Sequence, residues 1–245
     1  MNWILTLTLN NVNLTRKAVR SFLDQDIGPT RVLMYDNGSK DHTLNWAWTK
    51  YPQVLTIPQW PSKSVAASWN RGLDQLFNVE NCEYVLVCNN DVELRPDTYR
   101  HLHNDGGPFV TAVGDSNRKR ALWLDGTNIP YPNPDPERKR PHPDFSCFLI
   151  RRETFEKVRF DERYKIAYVE DCAYHVELHK IGIKPYCLDL PYYHYSAATV
   201  EETTKEEHKA IHLQAEANRW AFYEEYGFNV GSEEYYSFLE TNDNN

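Results

Sequence analysis

Short apolar runs alternate with helical patterns through the first part of this chain. Four runs rich in β-branched and aromatic residues predict strands, at 3–9, 31–35, 53–57 and 84–88. Apolar residues at helical spacing predict helices at 14–23 and 42–48, and a third helix that Ser62 or Ser64 can cap. This alternation implies an α/β fold in which helices flank a mostly parallel sheet with right-handed crossovers.

The pattern is looser beyond residue 91. Further strands are predicted at 109–113, 121–124 and 145–151, with a proline-rich loop at 125–143. A helix is predicted at 170–180, where Gly182 can end it. A last helix is predicted at 203–226, because Thr203 and Glu206 have the spacing of a capping box.

The charge of the chain is distributed unevenly. From residue 199 onward, eleven acidic residues face three basic ones, so this segment carries the whole net charge of −8. We therefore expect a main domain at 1–198 and an acidic C-terminal helical extension at 199–245. Within the neutral domain, two basic triplets bracket the proline-rich loop and could attract a phosphorylated partner. They consist of Arg118, Lys119 and Arg120, and of Arg138, Lys139 and Arg140.

Cysteine usage and hydropathy bear on the compartment. The five cysteines are odd in number and lack C-x-x-C spacing, which favours reduced thiols and argues against a structural zinc site. No apolar stretch approaches the roughly 18 residues that span a bilayer, and no basic segment precedes an apolar run at the N-terminus. The sequence predicts a soluble, cytoplasmic protein without a transmembrane segment.

Acidic residues follow two of the predicted strands. Asp36 ends the second strand, and Asp91 follows the fourth after Asn89 and Asn90. In an open α/β sheet the carboxyl ends of the strands border the crevice where ligands bind. Two carboxylates at one crevice suit a nucleotide diphosphate with a divalent cation. Glu170 and Asp171 open the later helix, and His194 lies beyond it.

Six motifs, in this order, resemble those of family 2 glycosyltransferases with the GT-A fold. They are Thr8-Leu9-Asn10, Asp36-Asn37-Gly38-Ser39, Asn70-Arg71-Gly72, Asn89-Asn90-Asp91, the segment at 145–162, and Glu170-Asp171 with His194. The resemblance covers 1–198. It implies a Rossmann-like GT-A fold with a nucleotide-sugar-binding half at 1–115 and an acceptor and catalytic half at 116–198.

The resemblance also implies roles for single residues. Asp36 would accept a hydrogen bond from the uracil or thymine ring, and Asp91 would hold Mn²⁺ or Mg²⁺ with His194 completing the metal shell. Asp171 would be the base of an inverting reaction, with Glu170 next in line. The remaining donor-binding residues would be Thr8, Asn10, Asn70, Arg71, Asn89 and Asn90.

Chemistry supports these roles independently of the family. A divalent cation stabilises the charge that develops on a departing diphosphate, and an imidazole ligand tilts the choice toward Mn²⁺. A positioned base accelerates attack by a hydroxyl on the order of 10²- to 10⁴-fold. The metal motif keeps a single acid, so His194 or water must supply more of the coordination. Lys63 stands where many members of the family have asparagine and glycine, so we expect this neighbourhood to contact a different donor phosphate or none.

Each motif also has a purely structural interpretation. Asp36-Asn37-Gly38 could be an ordinary turn, and Asp91 could cap the helix that follows. Glu170 and Asp171 could complement a helix dipole. His194 lies among tyrosines and is as consistent with a packed core residue as with a ligand.

The leading hypothesis is transfer from a UDP- or dTDP-sugar to a hydroxyl of a glycan or saccharide. An alternative acceptor is a hydroxylated base in DNA, as in enzymes of some bacteriophages, since the basic triplets with Trp123 and Tyr131 would suit a nucleic-acid strand. A sugar-phosphate nucleotidyltransferase lacks support because no glycine-rich loop follows the first strand. An inactive nucleotide-sugar-binding module is a further alternative. The donor sugar, the acceptor and the oligomeric state stay open.

Overall fold

The computed structural model describes residues 1–115, 135–140, 143–195 and 204–241. The strands of this part of the chain are β1 Asn2–Thr8, β2 Thr30–Asp36, β3 Val54–Pro58, β4 Tyr84–Asn89, β5 Val92–Glu93, β6 Phe109–Asp115, β7 Asp135–Arg140, β8 Cys147–Arg151 and β9 Tyr186–His194. The helices are α1 Val12–Leu23, α2 Thr43–Lys50, α3 Val65–Asp74, α4 Thr98–Asp105, α5 Arg152–Lys157, α6 Glu170–Lys180, α7 Lys205–Tyr226 and α8 Glu233–Thr241. The α/β alternation predicted for the first part is confirmed.

The strands form one mixed sheet. Its order is β3-β2-β1-β4-β8-β6-β9-β5, and β7 pairs with β9 beside this path. The predicted parallel pairing holds from β3 to β4, whereas β8 runs antiparallel to both β4 and β6. In the parallel part Thr8 lies opposite Asp36 and Leu7 opposite Asn89. The residues that end β1, β2 and β4 therefore share one edge of the sheet.

Apolar side chains cover both faces of the sheet. Ile4 of β1 belongs to the cluster that packs on α1, α2 and α4. Its neighbours Trp3 and Leu5 belong to the opposite cluster, which packs on α3, α5 and α6. Helix α3 approaches β1 closely at Gly72, where a Cβ atom would lie 2.5 Å from Leu5 Cδ1. Burial on both faces explains why these strands read as continuous apolar runs.

The C-terminal helices build a small core of their own with α6. Phe222 of α7 and Leu239 of α8 pack with Val169, Ala173 and Val176 around the start of α6. Apolar contact therefore joins the C-terminal helices to the segment that carries the predicted catalytic acids.

The start of α7 differs slightly from the prediction. The capping box is formed by Thr204 and Glu207, one residue later than the predicted pair Thr203 and Glu206. The Thr204 hydroxyl accepts from the Glu207 backbone N–H at 3.2 Å, and the Glu207 carboxylate accepts from the Thr204 backbone N–H at 3.0 Å. Thr203 and Thr204 are each followed three residues later by a Glu, so the sequence offered two possible capping boxes. In the observed box Glu207 occupies the third helical position.

Two further differences concern the second part of the sheet. The predicted loop at 125–143 is wrong at Asp135–Arg140, which forms β7 along β9. Pro136 is tolerated there because β7 lies at the edge of the pairing. The prediction also missed β9, and the strand it placed at 121–124 lies outside the described residues. So do Arg118, Lys119, Arg120, Trp123 and Tyr131, whereas Arg138, Lys139 and Arg140 belong to β7.

The predicted helix at 170–180 is confirmed as α6, and Gly182 follows it with φ 77°. No helix in the described part of the chain is long and apolar enough to cross a membrane.

Candidate active site

Asp36, the last residue of β2, is buried, and its carboxylate accepts several hydrogen bonds. Its Oδ1 atom accepts hydrogen bonds from the hydroxyls of Thr8, at 3.1 Å, and Ser39. Its Oδ2 atom accepts from the backbone N–H groups of Gly38 at 3.2 Å and Ser39 at 3.0 Å. A carboxylate offers about four acceptor positions, so the chain itself occupies them. The predicted bond from a pyrimidine ring to Asp36 stays a prediction, and it requires one of these donors to give way.

Asn10 joins the loops that follow β1 and β2. Its backbone N–H donates to Ser39 Oγ at 2.7 Å, and its Oδ1 accepts from the Lys40 backbone N–H at 2.8 Å. Asn10 and Asn11 have φ values of 57° and 65°, a left-handed region that Asn adopts more readily than most residues. Thr8, Asn10 and Asp36, three predicted donor-binding residues, therefore form one hydrogen-bonded unit.

Asn70 and Arg71 point to different neighbours. The Asn70 amide donates to the Phe160 carbonyl at 2.8 Å and to Glu162 Oε1 at 3.0 Å, and its oxygen accepts from the Phe160 N–H at 3.0 Å. Arg71 Nη1 donates to Gln59 Oε1 at 3.2 Å, and Gln59 Nε2 donates in turn to Asn37 Oδ1 at 2.8 Å. Arg71 is thus linked to the Asp36 loop. Asn70 instead fastens α3 to residues 160–162, so the structure does not join it to the other predicted donor-binding residues.

The end of β4 brings the two predicted metal ligands together. Val92 pairs with His194, and the Asp91 carbonyl accepts from the Tyr195 N–H at 2.9 Å. Asp91 Oδ1 consequently lies 3.4 Å from His194 Nε2. Asn90 turns toward α1, where its Nδ2 donates to Thr15 Oγ1 at 3.1 Å.

Asp91 and His194 fit a divalent cation that takes its other ligands elsewhere. No group of three or more His, Cys, Asp or Glu side chains with metal-binding geometry occurs among the described residues. Mg²⁺ is commonly held by one or two carboxylates together with substrate phosphates, and an imidazole suits Mn²⁺. A carboxylate oxygen and an imidazole nitrogen at this distance meet that requirement if a diphosphate and water complete the shell.

Glu170 and Asp171 lie at the start of α6. Val169, which precedes them, has φ 79° and belongs to a segment in which Ile166 and Tyr168 also have positive φ values. The Asp171 Oδ1 atom accepts from the Cys172 backbone N–H at 2.8 Å. Glu170 is buried, and within the described residues its Oε2 atom has no hydrogen-bond partner. A buried carboxyl oxygen without a donor is uncommon in folded proteins, and a catalytic role is one of the explanations such a group can have.

Burial shifts the proton affinity of this pair upward. Desolvation raises the pKa of Glu170 from its ordinary value of 4.5 to about 8, and the charge of Asp171 adds to the effect. Desolvation also raises the pKa of Asp171, against the opposing hydrogen bonds from Cys172. A raised pKa makes a carboxylate a better proton acceptor near neutral pH.

Asp144 lies near the acid pair of α6, and sequence reasoning did not single it out. Its carboxylate accepts from the Ser146 N–H at 2.9 Å, and its charge raises the pKa of Asp171 further. The Ser146 carbonyl accepts from the Asn89 N–H at 3.0 Å. The turn at 144–146 is therefore hydrogen-bonded to the end of β4, next to Asp91, and Asp144 lies close enough to Asp171 for its charge to act there. The sequence did contain one sign of this turn. Asp144 lies two residues before Ser146 and just ahead of β8, which is the spacing of an Asx-turn.

Solved structures share this architecture and define the class as the GT-A fold. Staphylococcus aureus TarS superposes with a TM-score of 0.59 at 14% sequence identity, covering 91% of this chain and 44% of TarS. A TarS fragment in complex with UDP-GlcNAc gives 0.57 at 14% identity and covers 99% and 79%. The mannosyltransferase PcManGT of Pyrobaculum calidifontis, in complex with GDP-Man and Mn²⁺, gives 0.57 at 15% identity and covers 98% and 78%.

Sequence comparison identifies the family. The model of glycosyl transferase family 2 matches residues 3–159, and the chain belongs to this family of glycosyltransferases. An N-acetylglucosaminyl-diphospho-decaprenol L-rhamnosyltransferase of Mycobacterium tuberculosis is 28% identical to this chain, in a match that covers 63% of it. The chain spans about 62% of the length of the curated relatives it matches. The predicted family and fold are thus confirmed, and the matched range includes Asp36 and Asp91 but ends before Glu170.

Proposed function

We propose that the protein transfers a sugar from a nucleotide-diphosphate sugar, a UDP- or dTDP-sugar, to a hydroxyl group of a saccharide acceptor, with inversion at the anomeric carbon. The single observation that carries this proposal is the acid pair at the start of α6, in which Glu170 is buried and Asp171 lies near the turn at 144–146 that is hydrogen-bonded to the end of β4. A proton acceptor and a candidate cation site then border the same crevice.

The chemistry assigns one role to each part of the site. The acceptor oxygen forms a bond to the anomeric carbon while the bond from that carbon to the diphosphate oxygen breaks. Asp171 takes the hydroxyl proton, and the nucleoside diphosphate departs with the electron pair. The pKa of Glu170 beside Asp171 is raised to about 8, so Glu170 keeps its proton at neutral pH. This limits the negative charge of the pair. Attack from the side opposite to the leaving group inverts the configuration.

Asp91 and His194 would hold the divalent cation, Mn²⁺ or Mg²⁺. When bound, a cation at this position supplies Lewis-acid stabilisation of the charge that develops on the leaving diphosphate. The Mn²⁺ in the structure of the fold neighbour PcManGT supports this part of the proposal. So does the proximity of Asp91 Oδ1 and His194 Nε2.

The donor and acceptor classes rest on the relatives. Fold neighbours were solved with UDP, UDP-GlcNAc and GDP-Man, which supports a nucleotide sugar as donor. The relative from Mycobacterium tuberculosis is named for rhamnosyl transfer to a lipid-linked saccharide, and this supports a saccharide acceptor. No relative or neighbour named here supports a DNA acceptor. We therefore propose the saccharide and leave nucleic acid as an outcome of the test.

A thermal-shift panel tests the donor and the metal together. UDP-glucose, UDP-GlcNAc, dTDP-rhamnose and GDP-mannose are each added with and without Mn²⁺, because a ligand that binds the folded state raises its melting temperature. We expect at least one UDP- or dTDP-sugar to stabilise the protein, more strongly with Mn²⁺. In Asp91→Ala the additional Mn²⁺ effect should disappear, whereas Asp26→Ala, which removes an exposed carboxylate paired with Arg100, should keep it.

Two results would contradict parts of the proposal. A full Mn²⁺ response in a folded Asp91→Ala protein removes Asp91 from the metal site. Transfer to an oligonucleotide containing a hydroxymethylated base, with none to saccharides, replaces the proposed acceptor by DNA.

A further inference from the structure

The segment that leads into α6 has an unfavourable backbone. Ile166, Tyr168 and Val169 have φ values of 58°, 76° and 79°, although none is glycine and two are β-branched. L-residues with branched side chains rarely adopt this region, and they keep it only where surrounding contacts enforce it. Something outside the segment must therefore hold residues 165–169.

Asn218 of α7 supplies these contacts. Its Nδ2 group donates to the carbonyls of Lys165 at 2.9 Å, Ala167 at 3.1 Å and Tyr168 at 3.0 Å. Its Oδ1 atom accepts from the Lys165 N–H at 3.2 Å and from Gln214 Nε2 at 3.0 Å. The side chain is 2% exposed, so these bonds form away from water. A single amide thus binds the backbone on both sides of Ile166.

The held segment fixes the position of the acid pair. The Val169 carbonyl accepts from the Ala173 N–H at 2.9 Å and so begins α6. The Ile166 carbonyl accepts at 2.9 Å from the N–H of Val65, the first residue of α3. Glu170 and Asp171 therefore follow directly on a segment that is anchored to α3 and to α7.

We propose that Asn218 is a positioning residue, which holds Asp171 in the geometry needed for proton transfer by enforcing the left-handed segment before α6. The inference rests on the proposed function, in which Asp171 is the base. It assigns the C-terminal extension a part in the reaction that requires no contact between Asn218 and the substrate.

The alternative is that Asn218 only stabilises the packing of α7. Phe222, one turn further along α7, is fully buried in the same small core and represents that alternative. Glu225 provides a second comparison, because it joins α7 to the chain just before this segment through an exposed ion pair with Arg163 at 3.0 Å. Substitutions at Phe222 and Glu225 therefore separate positioning from packing and from other contacts of α7.

The decisive variant is Asn218→Asp, which keeps the shape and the acceptor but loses the donors to the three carbonyls. Donor turnover is measured as nucleoside diphosphate released from the nucleotide sugar of the panel that the wild type turns over. We expect kcat to fall on the order of 10²-fold, as for a displaced catalytic group, while the donor KM changes less than about twofold. Phe222→Leu should lower the melting temperature and leave kcat near the wild-type value, and Glu225→Gln should change neither.

A double mutant isolates the route through Asp171. If Asn218 acts by positioning Asp171, adding Asn218→Asp to Asp171→Asn lowers the residual rate little further, since the two losses are not independent. Losses that multiply fully would overturn the inference. Where Asn218→Asp fails to fold, Asn218→Ser, which keeps one donor, takes its place with a smaller expected loss of kcat.

Failure of the inference differs from failure of the proposed function. If Asp171→Asn abolishes turnover while folded Asn218 variants keep the wild-type kcat, the positioning role is wrong and the proposed base stands. If Asp171→Asn keeps full turnover, the proposed base is wrong, and the positioning role falls with it.

Discussion

Two buried carboxylates in this protein meet opposite surroundings. Asp36, at the end of β2, accepts hydrogen bonds from two hydroxyls and two backbone N–H groups. Glu170, at the start of α6, has an Oε2 atom without a partner within the described residues. Burial without hydrogen bonds is costly, and burial with them is not. The first carboxylate therefore contributes to a stable loop, whereas the second sits in a region kept at the expense of stability.

The same contrast extends to the backbone. The donor-side loops use asparagine and glycine where φ is positive, at Asn10, Asn11 and Gly38. The acid-side segment uses Ile166, Tyr168 and Val169, for which the left-handed conformation is unfavourable. Strain and partnerless polar groups that gather in one place are typical of functional sites. The comparison separates a donor-side scaffold from the acid-side segment to which we assign proton transfer.

The largest effect is expected at Asp171. Asp171→Asn keeps the shape of the side chain but cannot accept the acceptor proton, so transfer should fall on the order of 10²- to 10⁴-fold with donor affinity unchanged. Rates under saturating donor and a separate donor titration measure the two quantities. Asp161→Asn, which removes the charge paired with Arg163, serves as the control. Unaltered turnover in Asp171→Asn would show that another residue is the base. It would also remove the functional difference that we infer between the two regions.

Asp36→Ala should act mainly on stability and on donor binding. Removing the carboxylate leaves the hydroxyls of Thr8 and Ser39 and two backbone N–H groups without their acceptor, which costs on the order of 3 kcal/mol of unfolding free energy. Urea denaturation measures the loss, with exposed Asp24→Ala as the control. If Asp36→Ala is as stable as the wild type, the internal hydrogen bonds do not support the fold as we infer.

Glu170→Gln should stabilise the protein in a pH-dependent way. The folded protein holds the Glu170 proton up to a pKa of about 8, whereas the unfolded chain releases it near 4.5. This group therefore favours folding fully below pH 4.5, and its contribution is lost as the pH rises toward 8. Glutamine removes that dependence, so the unfolding free energy of the variant should rise relative to that of wild type as the pH goes from 5 to 8.

Urea denaturation at both ends of this pH range checks the prediction, with exposed Glu153→Gln as the control. Parallel stability curves for wild type and Glu170→Gln would show that Glu170 ionises normally in the folded protein.

Sequence reasoning succeeded where local patterns decide the structure. The strands from β1 to β4 are apolar runs that are buried on both faces, and their ends placed Asp36 and Asn89 at one edge without knowledge of the tertiary fold. It failed at β9, whose alternation is interrupted by Asp189 and Pro191 and whose pairing is set by distant strands. Pairing between distant strands is a tertiary property that a local pattern does not contain.

The site divides in the same way. The motifs predicted that Asp91 and His194 lie together. The position of Asp144 depends instead on the turn at 144–146, which is hydrogen-bonded to the end of β4. Asn218 could not be found from the sequence, because an asparagine inside an acidic helix gives no sign of the carbonyls it binds. Its partners Lys165 and Tyr168 lie some fifty residues away along the chain.

The most direct test of the account is the stereochemistry of transfer. One base, Asp171, and attack opposite to the diphosphate predict that the first product formed carries the anomeric configuration opposite to that of the donor. Proton NMR of the anomeric signal, followed from the start of the reaction with the donor that the panel selects, measures this outcome. An inverted product is the expected result, and a product that retains the donor configuration would contradict the single-displacement mechanism and the role given to the acid pair.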